Sequence, residues 1–362
     1  MKNLFKYILV LGLLGVFSCG EASDTPAFEV PEPKEGNVKG VVSDENGNPI
    51  SGVVVSDGRL STQTDKFGIY ALSSDLSKVH FVQVSIPSGY QAPVVDGLPI
   101  FYERIPKGTQ TVEANFRLNR SKNTADRYTL FISADPQIRA KSAGYDNFGY
   151  HSIEVMEDVF LDMKDLSTRI KNKACYGVCL GDIVHNNMSL YKDYCDRLST
   201  LDFPTFHVIG NHDHDQTAIT DSLAMVDYEK YLGPTNYSFD LGKIHYIVLD
   251  NIIMNNSAGA GKYISGLSEE VYEWLKGDLA HVGKDKILMI FSHSGLYMKR
   301  DNDPTKEGGD KNSKGYTQIF SQYKYVHSWA GHNHINFNYV YSNVSECRIS
   351  HCWTFDRILV AQ

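Results

Sequence analysis

The pattern of apolar and polar residues divides the chain into regions of different character. From residue 38 to residue 118, short alternating runs are separated by turn sequences such as ENGNP and TDKFG. Strands are predicted at 38–43, 53–56 and 68–72, and the later runs VHFVQVSIP and TVEANFRL extend the same pattern. This region is therefore predicted to be a small all-β unit.

After about residue 126 the apolar runs lengthen and alternate with helical patterns. The segment HSIEVMEDVFLDMKDLSTRI places Ile153, Met156, Val159 and Phe160 on one helical face, and Ser268 is the predicted N-cap of a second helix. Alternation of strands and helices predicts an α/β layered domain over residues 126–343. Its candidate strands are residues 128–133, 176–180, 205–209, 246–249, 287–291 and 326–330.

The first residues have the pattern of a leader for secretion. Lys2 and Lys6 precede an apolar stretch too short to span a bilayer, and small residues then lead to Cys19. VFSC resembles a bacterial lipobox, whose cysteine becomes the acylated N-terminus; the alternative is an ordinary signal peptide with a chance cysteine. We expect a lipoprotein signal peptide at 1–19, lipidation at Cys19 and a tether at 20–37. The protein would then be lipid-anchored in the bacterial cell envelope, in the periplasm or at the cell surface.

Composition and charge exclude some functions. Apolar residues make up 42% of the 362 residues, so a large core is available and global disorder is excluded. The formal net charge is −8, and no block of Lys and Arg is arranged to follow a phosphate backbone. A nucleic acid is therefore not an expected partner. The sequence does not indicate an oligomeric state.

Residues that could bind metal or take part in catalysis directly follow the predicted strands of the α/β region. FISADPQ, GVCLGDIVHNN, FHVIGNHDHD, MIFSHSG and SWAGHNH each carry an apolar run followed by Asp, Asn or His. Ligands of α/β sheets bind outside the carboxyl ends of strands, so these loops are expected to meet in one crevice. Taken singly, most such residues are turn or helix-cap residues. The candidate donors are Asp135, Gln137, Asp182, Asn211, His293, His332 and His334, with His212 and Asp213 beside Asn211.

This donor set indicates divalent metal ions. Two carboxylates, three imidazoles and two amide oxygens, with no thiolate, suit Mn, Fe or Zn and not a Cys-rich structural zinc site. Seven donors exceed the need of one ion, so two ions sharing a carboxylate fit better. A two-metal site is the usual apparatus of phosphoester displacement, in which a bridging hydroxide attacks in line.

The succession DPQ, GDIVHN, GNHD, SH and GHNH resembles the motifs of the calcineurin-like metallophosphoesterase family, over roughly residues 128–339. The resemblance implies a four-layer β-sandwich flanked by helices, with two metal ions at the strand ends. It also implies a role for each candidate residue. Asp182 would bridge the ions, Asp135 and His334 would hold the first, Asn211, His293 and His332 would hold the second, His212 would face the substrate phosphate, and Asp213 would orient His212.

Gln137 departs from the family pattern, which usually has His here as a ligand of the first ion. A Gln amide oxygen coordinates Zn or Fe more weakly than imidazole does, and it suits harder ions such as Mn better. Either Gln137 coordinates the ion, or it points away and water takes its position. We expect a modified first site that still binds metal, with Mn as the favoured ion.

The N-terminal unit resembles the carboxypeptidase-regulatory-like β-sandwich of secreted bacterial proteins, through GVVSDENGNPISGVVVSDG and TDKFGIYAL. This domain order resembles a bacterial subgroup whose members typically have a third, C-terminal domain. The C-terminal tail, residues 344–362, does not look like such a domain. We expect it to reflect a natural truncation or a shifted reading frame.

These features support one leading hypothesis and one alternative. The leading hypothesis is a membrane-tethered, metal-dependent hydrolase of a small phosphomonoester or phosphodiester. The alternative is a catalytically silent envelope protein that keeps the fold as a binding platform; the presence of both Asn211 and His212 favours the enzyme. The charged stretch after His293 contains Lys299, Arg300 and Lys306, and it is either a rim over a phosphate pocket or solvated surface.

Overall fold

The computed structural model describes residues 35–121, 127–144, 149, 151–170, 174–259, 261–297, 310–349 and 359–361. The predicted signal peptide with Cys19, most of the tether, and Lys299, Arg300 and Lys306 lie outside the described residues. Within the described part, no helix has the length and apolar character needed to cross a membrane.

The N-terminal region is a small β-sandwich. Its strands are β1 (Val38–Asp44), β2 (Val54–Ser56), β3 (Ser61–Gln63), β4 (Ile69–Leu72), β5 (Phe81–Val84), β6 (Tyr90–Gln91), β7 (Val94–Val95), β8 (Leu98–Pro99), β9 (Tyr102–Arg104), β10 (Val112–Glu113) and β11 (Phe116–Arg120). One sheet has the order β10-β1-β11-β6, with β4 paired to β1, and the other has the order β3-β2-β5-β9. Along β1 every second residue is buried, among them Val38 and Val42, as the alternating pattern predicts.

The following residues form an α/β domain. Its strands are β12 (Tyr128–Ser133), β13 (Ala174–Cys179), β14 (Thr205–His207), β15 (Tyr237–Leu241), β16 (Ile244–Leu249), β17 (Ile252–Met254), β18 (Tyr263–Ser265), β19 (Ile287–Ser292), β20 (Tyr325–Ala330), β21 (Phe337–Tyr341), β22 (Val344–Arg348) and β23 (Leu359–Ala361). Its helices are α1 (Ser152–Arg169), α2 (Tyr191–Leu198), α3 (Asp221–Ala224), α4 (Val226–Leu232), α5 (Glu269–Leu279) and α6 (Ser313–Phe320), with short 3-10 helices at Lys141–Ala143, Met188–Leu190 and Asn256–Ala258.

Two sheets of this domain stack between helices. One has the order β14-β13-β12-β23 and the other has the order β15-β16-β19-β20-β22-β21. The apolar face of α1, including Met156 and Phe160, packs with Phe131 on the first sheet, and α5 packs through Trp274 against the second. The other face of each sheet is turned towards the other sheet. Ile132 of the first sheet and Val248 of the second therefore lie in one shared core. This arrangement confirms the predicted four-layer fold with a preceding all-β sandwich.

Aromatic rings fill much of the space between the two sheets. Phe206 stacks on Phe239 with ring centroids 3.9 Å apart, Phe239 stacks on Tyr246 at 4.8 Å, and Tyr246 stacks on Phe291 at 5.6 Å. Buried aromatic pairs contribute beyond the area they bury. Because these rings come from four different strands, they fix how the sheets face each other and therefore where the strand ends meet.

The predicted strands of this domain are all present, with ends that differ from the predictions by no more than two residues. The prediction of Ser268 as an N-cap is confirmed, since its hydroxyl accepts the Val271 amide at 3.2 Å. The tail boundary needs correction, because the structure places Val344–Arg348 inside the second sheet, parallel to β20. Glu346 and Arg348 are both buried in β22 and pair with each other, so charged residues concealed the strand pattern.

A buried ionic network lies where β15, β16 and α5 meet. His245 is 3% exposed, and its ring nitrogens lie 2.7 Å from Asp240 Oδ1 and 2.9 Å from Asp278 Oδ2. Lys286 Nζ donates to the other Asp240 oxygen at 2.8 Å. Burial lowers the pKa of His245, but the Asp278 charge and the hydrogen bonds to both carboxylates outweigh burial and raise this pKa from 6.5 to about 9.

This network predicts stability that falls as the pH rises. The folded protein keeps a proton on His245 that the unfolded chain releases, so the stabilisation is complete below about pH 6.5 and is lost as the pH passes about 9. The unfolding free energy of the wild type should decrease between about pH 6.5 and pH 9. His245→Gln lacks this titrating group, so its decrease should be smaller by about 1 to 3 kcal/mol. The measurement is denaturant unfolding at several pH values. His281→Gln, outside the network, should show the same change of unfolding free energy with pH as the wild type. If the two variants showed the same change with pH, His245 would not be the source of the effect.

Candidate metal centre

The candidate donors stand on loops that leave one edge of the stacked sheets. β12, β13 and β14 are parallel, as are β16, β19 and β20, so each set of carboxyl ends points the same way. Asp135 follows β12, Asp182 follows β13, and Asn211 follows β14. His293 directly follows β19 and His332 follows β20. The topology therefore brings together loops that are far apart in sequence.

Several of these residues have backbone conformations that side-chain-bearing residues rarely adopt. A positive φ is unfavourable outside glycine and is frequent at functional sites. The residues concerned are Asp135 (φ 52°), Gln137 (43°), Asp182 (53°), His332 (66°) and His334 (56°). Two glycines of these loops are restricted by close contacts instead of by φ, because a side chain would collide with a candidate ligand. A Cβ on Gly210 would lie 2.3 Å from Asp182 Oδ1, and one on Gly331 would lie 2.4 Å from Asp135 Oδ2.

One group of donors surrounds a buried point next to Asp182. Asp182, His293 and His332 each have a ligand atom within 4.8 Å of the others. His293 Nε2 lies 3.2 Å from Asp182 Oδ1, 3.1 Å from Asn211 Oδ1 and 3.2 Å from His332 Nδ1. Two atoms bound to one ion at about 2.1 Å, at ordinary ligand angles, lie about 3.0 to 3.4 Å apart. The spacing of these donors therefore fits a divalent ion.

A second group of donors lies on the other side of Asp182. Asp135, Asp182 and His334 again have ligand atoms within 4.8 Å of one another. His334 Nε2 lies 3.3 Å from Asp135 Oδ1. Gln137 Nε2 lies 3.1 Å from Asp182 Oδ2 and 3.3 Å from His334 Nε2, so its amide reaches this group. Asp182 is common to both groups, as a bridging ligand would be.

The charges of the site already favour a cation between Asp182 and His293. Burial opposes ionisation of Asp182, but the adjacent His293 outweighs burial and holds the pKa of this carboxyl well below its usual range. Burial likewise opposes the charge on His293, while the Asp182 charge raises the pKa of His293 to about 10. Binding of a metal ion would displace that proton.

His212 is held beside the two groups by contacts from both flanking loops. Its amide donates to Asp182 Oδ1 at 2.8 Å, and its ring stacks on His185 with centroids 4.3 Å apart. Its Nδ1 lies 2.8 Å from Asn186 Oδ1, which also accepts from Gln216 Nε2 at 2.7 Å. Because an amide oxygen only accepts, Nδ1 carries the proton and Nε2 is left for a substrate atom.

The expectation that Asp213 orients His212 does not match the structure. The Asp213 carboxylate is fully buried and accepts the backbone amides of Ile183, Val184 and Gly210 at 2.9–3.1 Å. It thereby joins the loops that carry Asp182 and Asn211 and keeps them in register. Asn186 takes the orienting position instead, and its only sequence signal is that it follows Asp182 in the same loop.

The residues flanking the site include others that the sequence analysis missed. Arg348 on β22 donates to the side chain of Asn333, which lies between His332 and His334. Arg139 Nη2 lies 3.0 Å from His185 Nε2 and brings positive charge to the side of the His185–His212 stack. Arg348 therefore supports the loop of two candidate ligands, while Arg139 is a cation beside the His185–His212 stack.

The chain matches the models of two protein-family regions. A model described as "Calcineurin-like phosphoesterase" matches residues 151–336, and one described as "N terminal of Calcineurin-like phosphoesterase" matches residues 36–121. The first match covers more than half of the 362 residues. It begins after Asp135 and Gln137, so the place of these two residues in the site rests on the geometry above. No curated protein matches the chain.

Solved structures of phosphatases and a related hydrolase are similar to the chain. A dimetal phosphatase from Danio rerio has 17% identity and a TM-score of 0.44, covering 62% of this chain and 87% of that one. The purple acid phosphatase PPD1 from yellow lupin (Lupinus luteus) has 15% identity and a TM-score of 0.43, covering 61% and 43%. Phosphopantetheinyl hydrolase PptH from Mycobacterium tuberculosis has 13% identity and a TM-score of 0.39, covering 62% and 90%.

Proposed function

Because the chain belongs to the calcineurin-like phosphoesterase family and is a phosphoric ester hydrolase, we propose that it hydrolyses a small phosphomonoester or phosphodiester at a two-metal centre bridged by Asp182. The observation that carries this proposal is the pair of donor groups that share Asp182 at one sheet edge. The family has a dinuclear metal site, and the carboxylate, imidazole and amide donors present here fit such a site.

In the proposed mechanism the metal ions and the residues of the chain have different roles. The donors grouped around Asp182 would hold two divalent ions, whose chemistry when bound would be Lewis-acid activation of the phosphoryl group and of water. Asp182 positions this chemistry by directing Oδ1 to one donor group and Oδ2 to the other. With Nδ1–H held by Asn186 and the ring stacked on His185, a doubly protonated His212 would donate its Nε2 proton to the leaving oxygen. Arg139 adds positive charge on the same side of the site.

Manganese is the ion we propose for the first site. Gln137 replaces an imidazole with an amide, and its side chain lies against Asp182 and His334. A half-turn of the amide exchanges Nε2 for Oε1, which is a ligand that harder ions accept better than Zn does. This reasoning concerns the first site alone, since the second retains imidazole from both His293 and His332.

Gln137→His should tighten metal binding at the first site. An added imidazole should let the protein keep its second equivalent of metal against about tenfold more chelator, with a shift from Mn towards Zn. Metal content after dialysis against graded chelator measures this effect. Gln216→His adds the same ring beside Asn186 and serves as the control, which should behave like the wild type. If Gln137→His retained no more metal than the wild type at each chelator concentration, residue 137 would not contact the ion.

We further propose that Cys19 anchors the enzyme to a membrane of the bacterial cell envelope. The support is the succession of Lys2, Lys6, an apolar stretch and VFSC. Mass spectrometry of the mature N-terminus after expression in a bacterium tests this, since an acylated Cys19 is expected in the membrane fraction. A soluble product with an N-terminus other than Cys19 would overturn the anchor without touching the proposed reaction.

The test of the proposed function is hydrolysis by the mature chain after chelation and again after reloading with Mn. Assays with an activated monoester and an activated diester, run in parallel, show which ester type the site prefers. We expect activity to disappear on chelation and to return with metal for at least one ester. A protein that binds metal and remains inert on both esters would favour the binding-platform alternative.

A further inference from the structure

A second cleft, of about 500 Å³, lies between the N-terminal β-sandwich and the α/β domain. The sandwich contributes Phe81 and Gln83, while Asp221 at the start of α3 and Asp250 after β16 come from the α/β domain. None of the candidate metal ligands is among its described lining residues. Its volume is within the range of small-molecule sites, and domain junctions are common places for such sites.

Gln83 brings an unsatisfied hydrogen-bond acceptor to this cleft. Gln83 is 3% exposed, and its Nε2 donates to the carbonyl oxygen of Asn236 at 2.7 Å. Its Oε1 is buried and has no hydrogen-bond partner. Buried polar atoms are nearly always paired, so an orphaned acceptor in the wall of a cleft points to a ligand that donates a hydrogen bond.

Two carboxylates in the opposite wall add negative charge. Asp250 is 5% exposed, with Oδ1 accepting the Ile252 amide at 3.1 Å and Oδ2 lying 3.5 Å from His214 Nε2. Asp221 accepts the Met254 amide at 2.6 Å, and no Lys or Arg within the described residues forms an ion pair with it. Burial and the Asp250 charge raise the pKa of Asp221 to about 6, because the two carboxylates are close enough to repel each other.

The cations of the cleft are already paired with carboxylates. Arg59 lies 3.2 Å from Glu270, and His80 lies 2.8 Å from Glu229. Lys78 lies 2.9 Å from Asp75. An anionic ligand would have to displace these partners. A cation would instead pair with Asp221, because Asp250 already faces His214 and Asp221 has no Lys or Arg partner among the described residues. The charge balance of the cleft therefore favours a positively charged ligand.

We propose that this cleft binds a small aliphatic amine. An ammonium group would donate to Asp221 and Asp250, a second donor would satisfy Gln83 Oε1, and the alkyl chain would pack on apolar lining such as Phe81 and Ile252. The site is separate from the metal centre and does not depend on the proposed reaction.

The test is calorimetric titration of the Mn-loaded mature protein with 1,5-diaminopentane, and with 1,5-pentanediol as its neutral counterpart. Saturable binding of about one diamine per chain is expected, with no measurable binding of the diol. Asp221→Asn should weaken diamine binding about tenfold or more, since it removes a charge-assisted hydrogen bond. Asp202→Asn is the matched control, because Asp202 is an exposed carboxylate paired with Lys164 and does not line the cleft.

Gln83→Met provides a second variant if Asp221→Asn does not fold. It keeps the side-chain length and removes the acceptor, and it should weaken diamine binding by about fivefold or more. Absence of saturable diamine binding, equal binding of the diol, or unchanged affinity in the variants that fold would each overturn the proposal. Hydrolytic activity is not part of this readout, so failure of the amine site leaves the proposed function untouched.

Discussion

Asp182→Asn should reduce phosphoester hydrolysis on the order of 1,000-fold or more. Asp182 is the one donor common to both groups, with Oδ1 near His293 and Oδ2 near Gln137. An amide offers one neutral oxygen in place of two charged ones, so the variant should lose the shared ligand and with it metal from one or both sites. Activity at saturating Mn and metal content per chain measure the two effects.

Asp202→Asn supplies the matched control for this prediction. It makes the same chemical change at an exposed carboxylate paired with Lys164 and should keep wild-type activity and metal content. Thermal unfolding of Asp182→Asn in the absence of metal shows whether the fold survives the substitution. A folded Asp182→Asn protein with activity near wild type would refute the bridging role.

His212→Gln should lower kcat by about 100-fold to 10,000-fold for an ester with a poor leaving group. The ring is fixed by Asn186 and His185 with Nε2 directed away from those contacts, as a proton donor to the leaving oxygen requires. An activated aryl leaving group needs little protonation, so for that ester the loss should be much smaller. Metal content should stay at the wild-type value, because His212 belongs to neither donor group.

The comparison of leaving groups separates two roles of His212. Equal losses with the alkyl and the aryl ester would mean that His212 binds or stabilises the phosphoryl group and is not the proton donor. Asn186→Leu, which removes the acceptor at Nδ1, should reproduce a milder form of the His212→Gln profile. Wild-type kcat with a poor leaving group in His212→Gln would contradict either role.

The fold, and the strand ends that carry the candidate donors, could be predicted from the sequence because both depend on local patterns. Apolar runs of strand length and an Asp, Asn or His directly after them identify a parallel strand end, as at Asp135, Asp182 and His293. Parallel pairing then places these ends at one edge, without any further information from the sequence.

The contacts that support the site were not predictable in the same way. Asp213 looked like a partner of His212, but the backbone amides of the neighbouring loop bind its carboxylate. Arg348 reaches Asn333 only because β22 joins the sheet, and the charged residues of β22 hid that strand. Such contacts join segments that are distant in sequence, so they follow from the packed structure and not from the order of residues.

We propose that the chain hydrolyses a phosphoester with two metal ions held around Asp182. The most direct test is the hydrolysis rate of an activated phosphoester by chelated protein as Mn is added in measured equivalents. We predict that the rate rises with bound metal and reaches its plateau only when both donor groups are filled, at about two ions per chain. A rate that reaches its plateau at one bound ion, or no hydrolysis with two ions bound, would contradict the proposed two-metal reaction.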